Sequence, residues 1–224
     1  MVSILPSWIQ QRRDIPKQFE DMPVDLQQII TEIYQLTDCL NSKSFIPRME
    51  PFSYQAMLLS FWYRLVPYRP LNDPSPVDLI EDAVHIGMIA FMITTLLQFG
   101  RRKILAYPFV AIRMKNTLEM LLSSSAADKA LTTWLLFVGG LSVLSKSDQD
   151  WAADNIRRIT DEMGIHDWVA VRELLGQFPW INTLHDESAR ALWNSVSDNT
   201  ELCSTKELKK VSTEAQNTNA LEFL

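Results

Sequence analysis

Three histidines, two cysteines and a few adjacent acid pairs are what this 224-residue chain offers to acid–base or metal chemistry. His85 lies inside the apolar run from Ala83 to Phe99 and has no second histidine one turn on, so a hydrogen-bonded core histidine is expected rather than a metal ligand. His166 and His185 each precede an aspartate, Asp167 and Asp186, where local helix capping accounts for them without a catalytic role. The pairs Asp161–Glu162 and Asp186–Glu187 are sequence neighbours, which diverge on a helix, so a solvated face is expected of them. Cys39 and Cys203 are too few for a disulfide framework or a zinc site and suit a reducing compartment. There is no G-x-S-x-G elbow, no H-E-x-x-H and no glycine-rich phosphate loop. No catalytic, cofactor-binding or metal residue is assigned, and an enzyme would need a site of unfamiliar type.

Charge narrows the classes further. Twenty-one Lys and Arg stand against 27 Asp and Glu, a net charge of -6, so no positive field draws a polyanion, and direct nucleic-acid binding is not expected. The longest basic run, Arg101-Arg102-Lys103, suits a helix C-terminus, where cations face exposed carbonyls. With 47% hydrophobic and 21% charged residues the chain has the balance of a folded protein. Six glycines fall well below the usual ~7%, which disfavours strand-and-turn architectures.

The elements available to position these residues are therefore helices, and the expected fold is all-α, an irregular multi-helix domain with a largely buried central helix. Prolines 6, 16 and 23 make residues 1–23 an irregular lead-in. From Val24, apolar residues at steps of three and four predict a first helix to about Asn41. A second is expected from Pro51 to Val66, apolar on more than one face and stopped by Pro67 and Pro70. Ser75-Pro76-Val77-Asp78 reads as the start of a third, running to about Gly100 and apolar almost all round, hence central. At 17 residues with His85, Thr94, Thr95 and Gln98 inside it, the run Ala83 to Phe99 reads as a buried helix, with a membrane-associated protein as a remote rival. Further helices are expected from Pro108 to Leu122, from a Ser125 start through Leu141, from Ser147 to Met163 with Gly164 as the stop, from Asp167 to Phe178, and from His185-Asp186 through Val196. The helical domain thus spans 24–197, and 198–224 is a polar, flexible tail. The start Met1–Pro6 has neither the basic nor the apolar region of a signal peptide, so a nuclear or cytoplasmic place is expected rather than secretion.

Seven tryptophans and nine methionines mostly serve packing, but Gly139-Gly140 inside a helix opens room. A small-ligand cavity, if present, is expected around the central helix against Trp134, Gly139 and Gly140.

The C-terminal half is the most specific. Leu131 to Gly140, then Trp168 to Leu175, then Phe178-Pro179-Trp180 and finally Arg190-Ala191-Leu192-Trp193 follow in an order that resembles the C-terminal part of the fungal-specific transcription factor domain. That domain is the helical regulatory region of zinc binuclear cluster factors. The resemblance covers about Pro76 to Val196 and departs at Ser188 and Ala189, where family members carry a small residue and glycine. It implies a packing motif of Phe178, Trp180, Arg190, Leu192 and Trp193. Trp193 also shares a helix face with Ala189 and Val196, at i-4 and i+3, so it is expected to dock the last helix near Phe178 and Trp180. The six cysteines that hold the family's two zinc ions are absent from this sequence, and without thiolates that DNA-reading module cannot form. What the resemblance implies is a transcription-regulatory domain acting by association with a protein partner, a zinc-cluster factor being the natural one, with room for a small-molecule effector. The rival is a helical accessory protein or enzyme of fungal secondary metabolism.

Overall fold

A computed structural model describes residues 19–42, 50–71, 78–97 and 107–195. Among them are eight helices and no strand. In chain order they are α1 (Val24–Asn41), α2 (Pro51–Tyr68), α3 (Leu79–Leu97), α4 (Pro108–Ser123), α5 (Lys129–Ser142), α6 (Lys146–Glu162), α7 (Trp168–Leu175) and α8 (182–195).

The all-α expectation with a buried central helix holds, and the centre is double. Every residue from Ala83 to Thr95 of α3 is buried, and so is every residue from Leu131 to Gly140 of α5. Helices apolar all round must be covered on all sides. Accordingly α3 packs against α2, α4 and α5, while α5 packs against α3, α4, α6 and α7. The apolar span Leu79–Leu96 is long enough to cross a membrane by length and composition, yet 72% of it is buried inside the protein.

The two central helices meet at Gly87. A Cβ there would lie 2.5 Å from Trp134 Cζ3 and 2.6 Å from Leu135 Cδ2, so the indole occupies the space that any other residue would fill. Trp134 also stacks on Phe178 at 5.4 Å and donates its Nε1–H to the Pro179 carbonyl at 3.2 Å.

Two charged pairs fix the outer helices. Glu32, on the buried stripe of α1, accepts from Arg64 of α2 at 2.7 Å and 3.3 Å. Asp82 of α3 accepts from the Arg113 guanidinium and from the Thr117 hydroxyl (2.7 Å), both on α4, while Arg113 also reaches the Pro70 carbonyl at 2.9 Å. Removing one member of a pair as buried as Glu32–Arg64 leaves an uncompensated charge.

Helix ends depart from the sequence reading in instructive ways. α2 continues through Pro67 to Tyr68, because the residue forced out of the helix is the one before Pro70: Arg69 is extended, with φ -149° and ψ 128°. Asp78 caps α3, accepting from the amides of Ile80 and Glu81, whereas Ser75 and Pro76 lie outside the described residues. Asp128 rather than Ser125 caps α5, and Ser145 rather than Ser147 caps α6. Where two cap-capable residues compete, the one adjacent to the first helical residue can reach the free amides. α7 stops at Leu175, short of Pro179. α8 begins at residue 182, three residues before His185-Asp186. Gly164, with φ +70°, ends the α6 region as expected. Residues 1–18 of the lead-in, Arg101-Arg102-Lys103, Val196 and the tail lie outside the described residues, but Phe19 and Met22 belong to the core.

Gly87→Val should lower stability by about 1 to 3 kcal/mol, the usual cost of overpacking, although valine is the better helix former. Urea unfolding followed by circular dichroism reads the shift, and an unchanged midpoint would mean that α3 and α5 do not meet there.

Candidate interaction surfaces

Phe178, Trp180, Arg190, Leu192 and Trp193 lie along the corner from the end of α7 through α8, and the chain fixes it from within. Phe178 and Trp180 are fully buried, Leu192 and Trp193 are half-buried, and Arg190 is exposed. Trp180 donates its Nε1–H to Asp186 Oδ1 at 2.8 Å, and the other oxygen of Asp186 accepts from Arg172 Nε at 2.7 Å. Helix α1 supplies the second clamp. Asn41 donates to the Trp180 carbonyl at 2.6 Å and accepts from the Asn182 amide at 2.9 Å, while the Tyr34 hydroxyl donates to the Gln177 carbonyl at 2.9 Å. Asp186, expected as part of a solvated face, is thus the hub of the corner. Nothing in local spacing announces the part of Asn41 and Tyr34, since their partners lie about 140 residues away.

His185 is buried in this corner rather than serving as a cap. Its Nδ1 accepts the Ile181 amide at 3.0 Å, which places the proton of the neutral ring on Nε2, and that N–H donates to Thr94 Oγ1 at 2.8 Å. Thr94 in turn donates to the Phe91 carbonyl at 2.6 Å. Burial drives the His185 pKa down to about 4, opposed by the nearby Asp186 carboxylate. His85 is the hydrogen-bonded core histidine expected: its Nε2–H donates to the Leu65 carbonyl at 2.8 Å, and burial lowers its pKa too. His166 is exposed beside Asp161, and Asp167 caps α7.

Side chains approach closely at the expected cavity of Trp134, Gly139 and Gly140. Trp134 fills the notch at Gly87, Met114 and Leu144 lie against Gly139, and a Cβ at Gly140 would meet Leu192 at 3.0 Å. The paired glycines admit side chains from other elements, and Gly140 receives the residue through which α8 docks on α5. An open surface groove of about 460 Å³ lies instead outside the corner, lined by Trp168, Arg172, Asp186, Glu187, Arg190 and Asn194 among others.

The second surface is the outer face of α2, whose signal was its apolarity on more than one side. Its inner stripe, Met57, Leu58, Phe61 and Leu65, is buried. On the opposite side Phe52 (77% exposed), Ala56, Leu59 and Tyr63 (74% exposed) face outward at spacings of four, three and four, within an arc of about 60° at 100° per residue. The only charged residue in α2 is Arg64, which pairs with Glu32. Helix α4 also exposes Phe109, Ile112 and Met120, but Lys115, Asn116 and Glu119 interrupt them. No protein-family model, no curated protein and no solved structure matches the chain.

Two outcomes follow from the corner. Between pH 6.5 and about 4 the unfolded chain binds a proton at position 185 that the folded chain refuses, so stability is full above 6.5 and falls as pH drops through that window, by on the order of 3 kcal/mol for His185. Thermal melts from pH 7.5 to 4 of the native chain beside His185→Gln should show a steeper acid loss for the native chain. Trp180→Ala should cost about 3 to 5 kcal/mol, as buried aromatics do, and Trp193→Ala clearly less, since Trp193 stays half-exposed. Equal losses in denaturant melts would mean that Trp193 is as deeply docked as Trp180.

Proposed function

We propose that the chain is a helical regulatory domain that works by associating with other proteins. The observation that supports this best is the charge-free apolar face of α2, exposed in a chain with 21% charged residues and buried by no neighbour described here. Large apolar patches left open to water mark contact sites, and a helix apolar on two opposite sides has the pattern of one covered on both. The resemblance of the C-terminal half to the fungal-specific transcription factor domain adds the kind of partner, a zinc-cluster factor in the nucleus. The net charge of -6 sets this region against direct DNA binding, so in this reading it acts on transcription through that partner, as a modulator that competes for its association surface. A small-molecule effector would use the surface groove at Arg190 rather than the filled space at Trp134.

Purified chain should leave duplex DNA unshifted at physiological salt. Affinity purification from a fungal nuclear extract should retain a zinc-cluster factor with the native chain and lose it with Tyr63→Glu, whose side chain is exposed. A shift of DNA by the chain alone would overturn the reading. Retention of a metabolic enzyme assembly with no such factor would replace it with the accessory-protein alternative.

A further inference from the structure

The turn between α4 and α5 borders a second groove, of about 390 Å³, which shares no lining residue with the groove at Arg190. Ser123, Ser124 and Ser125 line it together with Lys129 of α5 and Arg158 and Glu162 of α6. Both cations reach the one carboxylate. Lys129 Nζ lies 3.0 Å from Glu162 Oε2, and Arg158 donates to Glu162 Oε1 at 3.4 Å and to Asn155 Oδ1 at 3.1 Å. Lys129 chiefly holds the Glu162 carboxyl below its ordinary pKa. The groove thus sets two positive charges against one negative, in a chain whose net charge is -6. All three serines are exposed. The Ser123 hydroxyl donates to the Glu119 carbonyl at 2.8 Å, whereas those of Ser124 and Ser125 have no partner among the described residues. The Ala127 amide donates to the Ser124 carbonyl at 3.3 Å, closing a turn with Ser125 at its second position.

We propose that Ser125 is a phosphorylation site whose phosphate is received by Lys129 and Arg158. Ser123 ends α4 and Ser124 is its C-cap, where exposed carbonyls oppose an anion; Ser125 stands one residue further on, toward the N-terminal end of α5, which favours one. In the transfer, Ser125 Oγ bonds to the γ-phosphorus of ATP and the bond from that phosphorus to the β–γ bridging oxygen breaks. ADP leaves, and the hydroxyl proton passes to the base of the kinase. The phosphate brings a charge of about -1.5 to -2 at pH 7 and three acceptor oxygens, against one charge and two oxygens on Glu162, so both cations turn to it. Asp128, the next carboxylate along the chain, is spent on the Ala130 and Leu131 amides. A free anion suits the groove less well, because it must displace Glu162 from bulk solution. A phosphate tethered four residues before Lys129 acts instead at an effective concentration of about millimolar. The modification ties the α4–α5 turn to α6 and releases Glu162, and it stands independently of the association reading.

The full chain is incubated with ATP and a protein kinase that reads a carboxylate three residues after its target, where Asp128 stands after Ser125. Mass spectrometry should place phosphate on Ser125. Phosphorus nuclear magnetic resonance then reads the second pKa of that phosphate, its signal assigned by its loss in Ser125→Ala. Paired with two cations, the phosphate should titrate below its ordinary value of about 6. Lys129→Ala and Arg158→Ala, whose native side chains are 49% and 50% exposed, should stay folded by circular dichroism and each return the pKa toward that value. Arg158 belongs to α6, so its effect separates a phosphate seated in the groove from one that projects into water. No phosphate on Ser125, phosphate confined to Ser123 or Ser124, or a pKa of about 6 that neither variant moves would each overturn the proposal.

Discussion

The contact between Gly87 and Trp134 is the constraint from which the rest of the arrangement follows. Two helices apolar all round can share one core only if they come close, and close approach requires that one of them give up a side chain. Gly87 does so on α3, and the indole of Trp134 enters the gap from α5. Once the indole is seated, its ring plane and its N–H are fixed in space, and they meet Phe178 and the Pro179 carbonyl. The chain leaving α7 must then turn at that point, which sets where α8 begins and brings Leu192 over Gly140. Helices far apart in sequence are aligned by one aromatic ring.

How much of this could be read in the sequence depended on the range of the interaction. Helix existence and the buried faces of α1, α4 and α6 are local properties, carried by three- and four-residue spacing, and they were legible. Caps were legible in kind but shifted in position, because Ser125, Asp128, Ser145 and Ser147 are all competent and geometry alone selects among them. The glycine pair was ambiguous for a different reason. A glycine pair in a helix says that something approaches closely, but not whether the visitor leaves space or fills it, and Met114, Leu144 and Leu192 fill it. Gly87 stands singly in an apolar run, where spacing does not mark it out, although it makes the tighter contact.

The polar interior is equally illegible locally and equally decisive. Glu32 sits on the stripe that carries Ile29, Ile33 and Leu36, a position where a carboxylate would be costly without a partner. Its partner Arg64 stands 32 residues on, and Asp82 finds Arg113 at 31. Such pairs add little net stability over apolar residues of the same shape, but they penalise every arrangement in which the partners part. They therefore select the order of helices around α3 rather than the strength of the core. Asn41, with one donor and one acceptor both used on the 180–182 backbone, does the same for the corner.

Interior charge and exterior neutrality on α2 are two sides of one allocation. Arg64 has to point toward α1 to meet Glu32, and that leaves the outer face of α2 without a charge along its whole length. A helix whose inner face holds the core and whose outer face has no charge offers water little on that side, here the Tyr63 hydroxyl and the flanking Ser53 and Gln55. The aromatic rings of Phe52 and Tyr63 expose their area at a cost that grows with the apolar surface left wet, about 25 cal/mol per Å². Among the described residues these side chains stand exposed, so charged substitutions there would remove the cost without disturbing the core. The sequence instead keeps an apolar stripe there at steps of four, three and four residues, the kind of wet apolar face that marks contact sites.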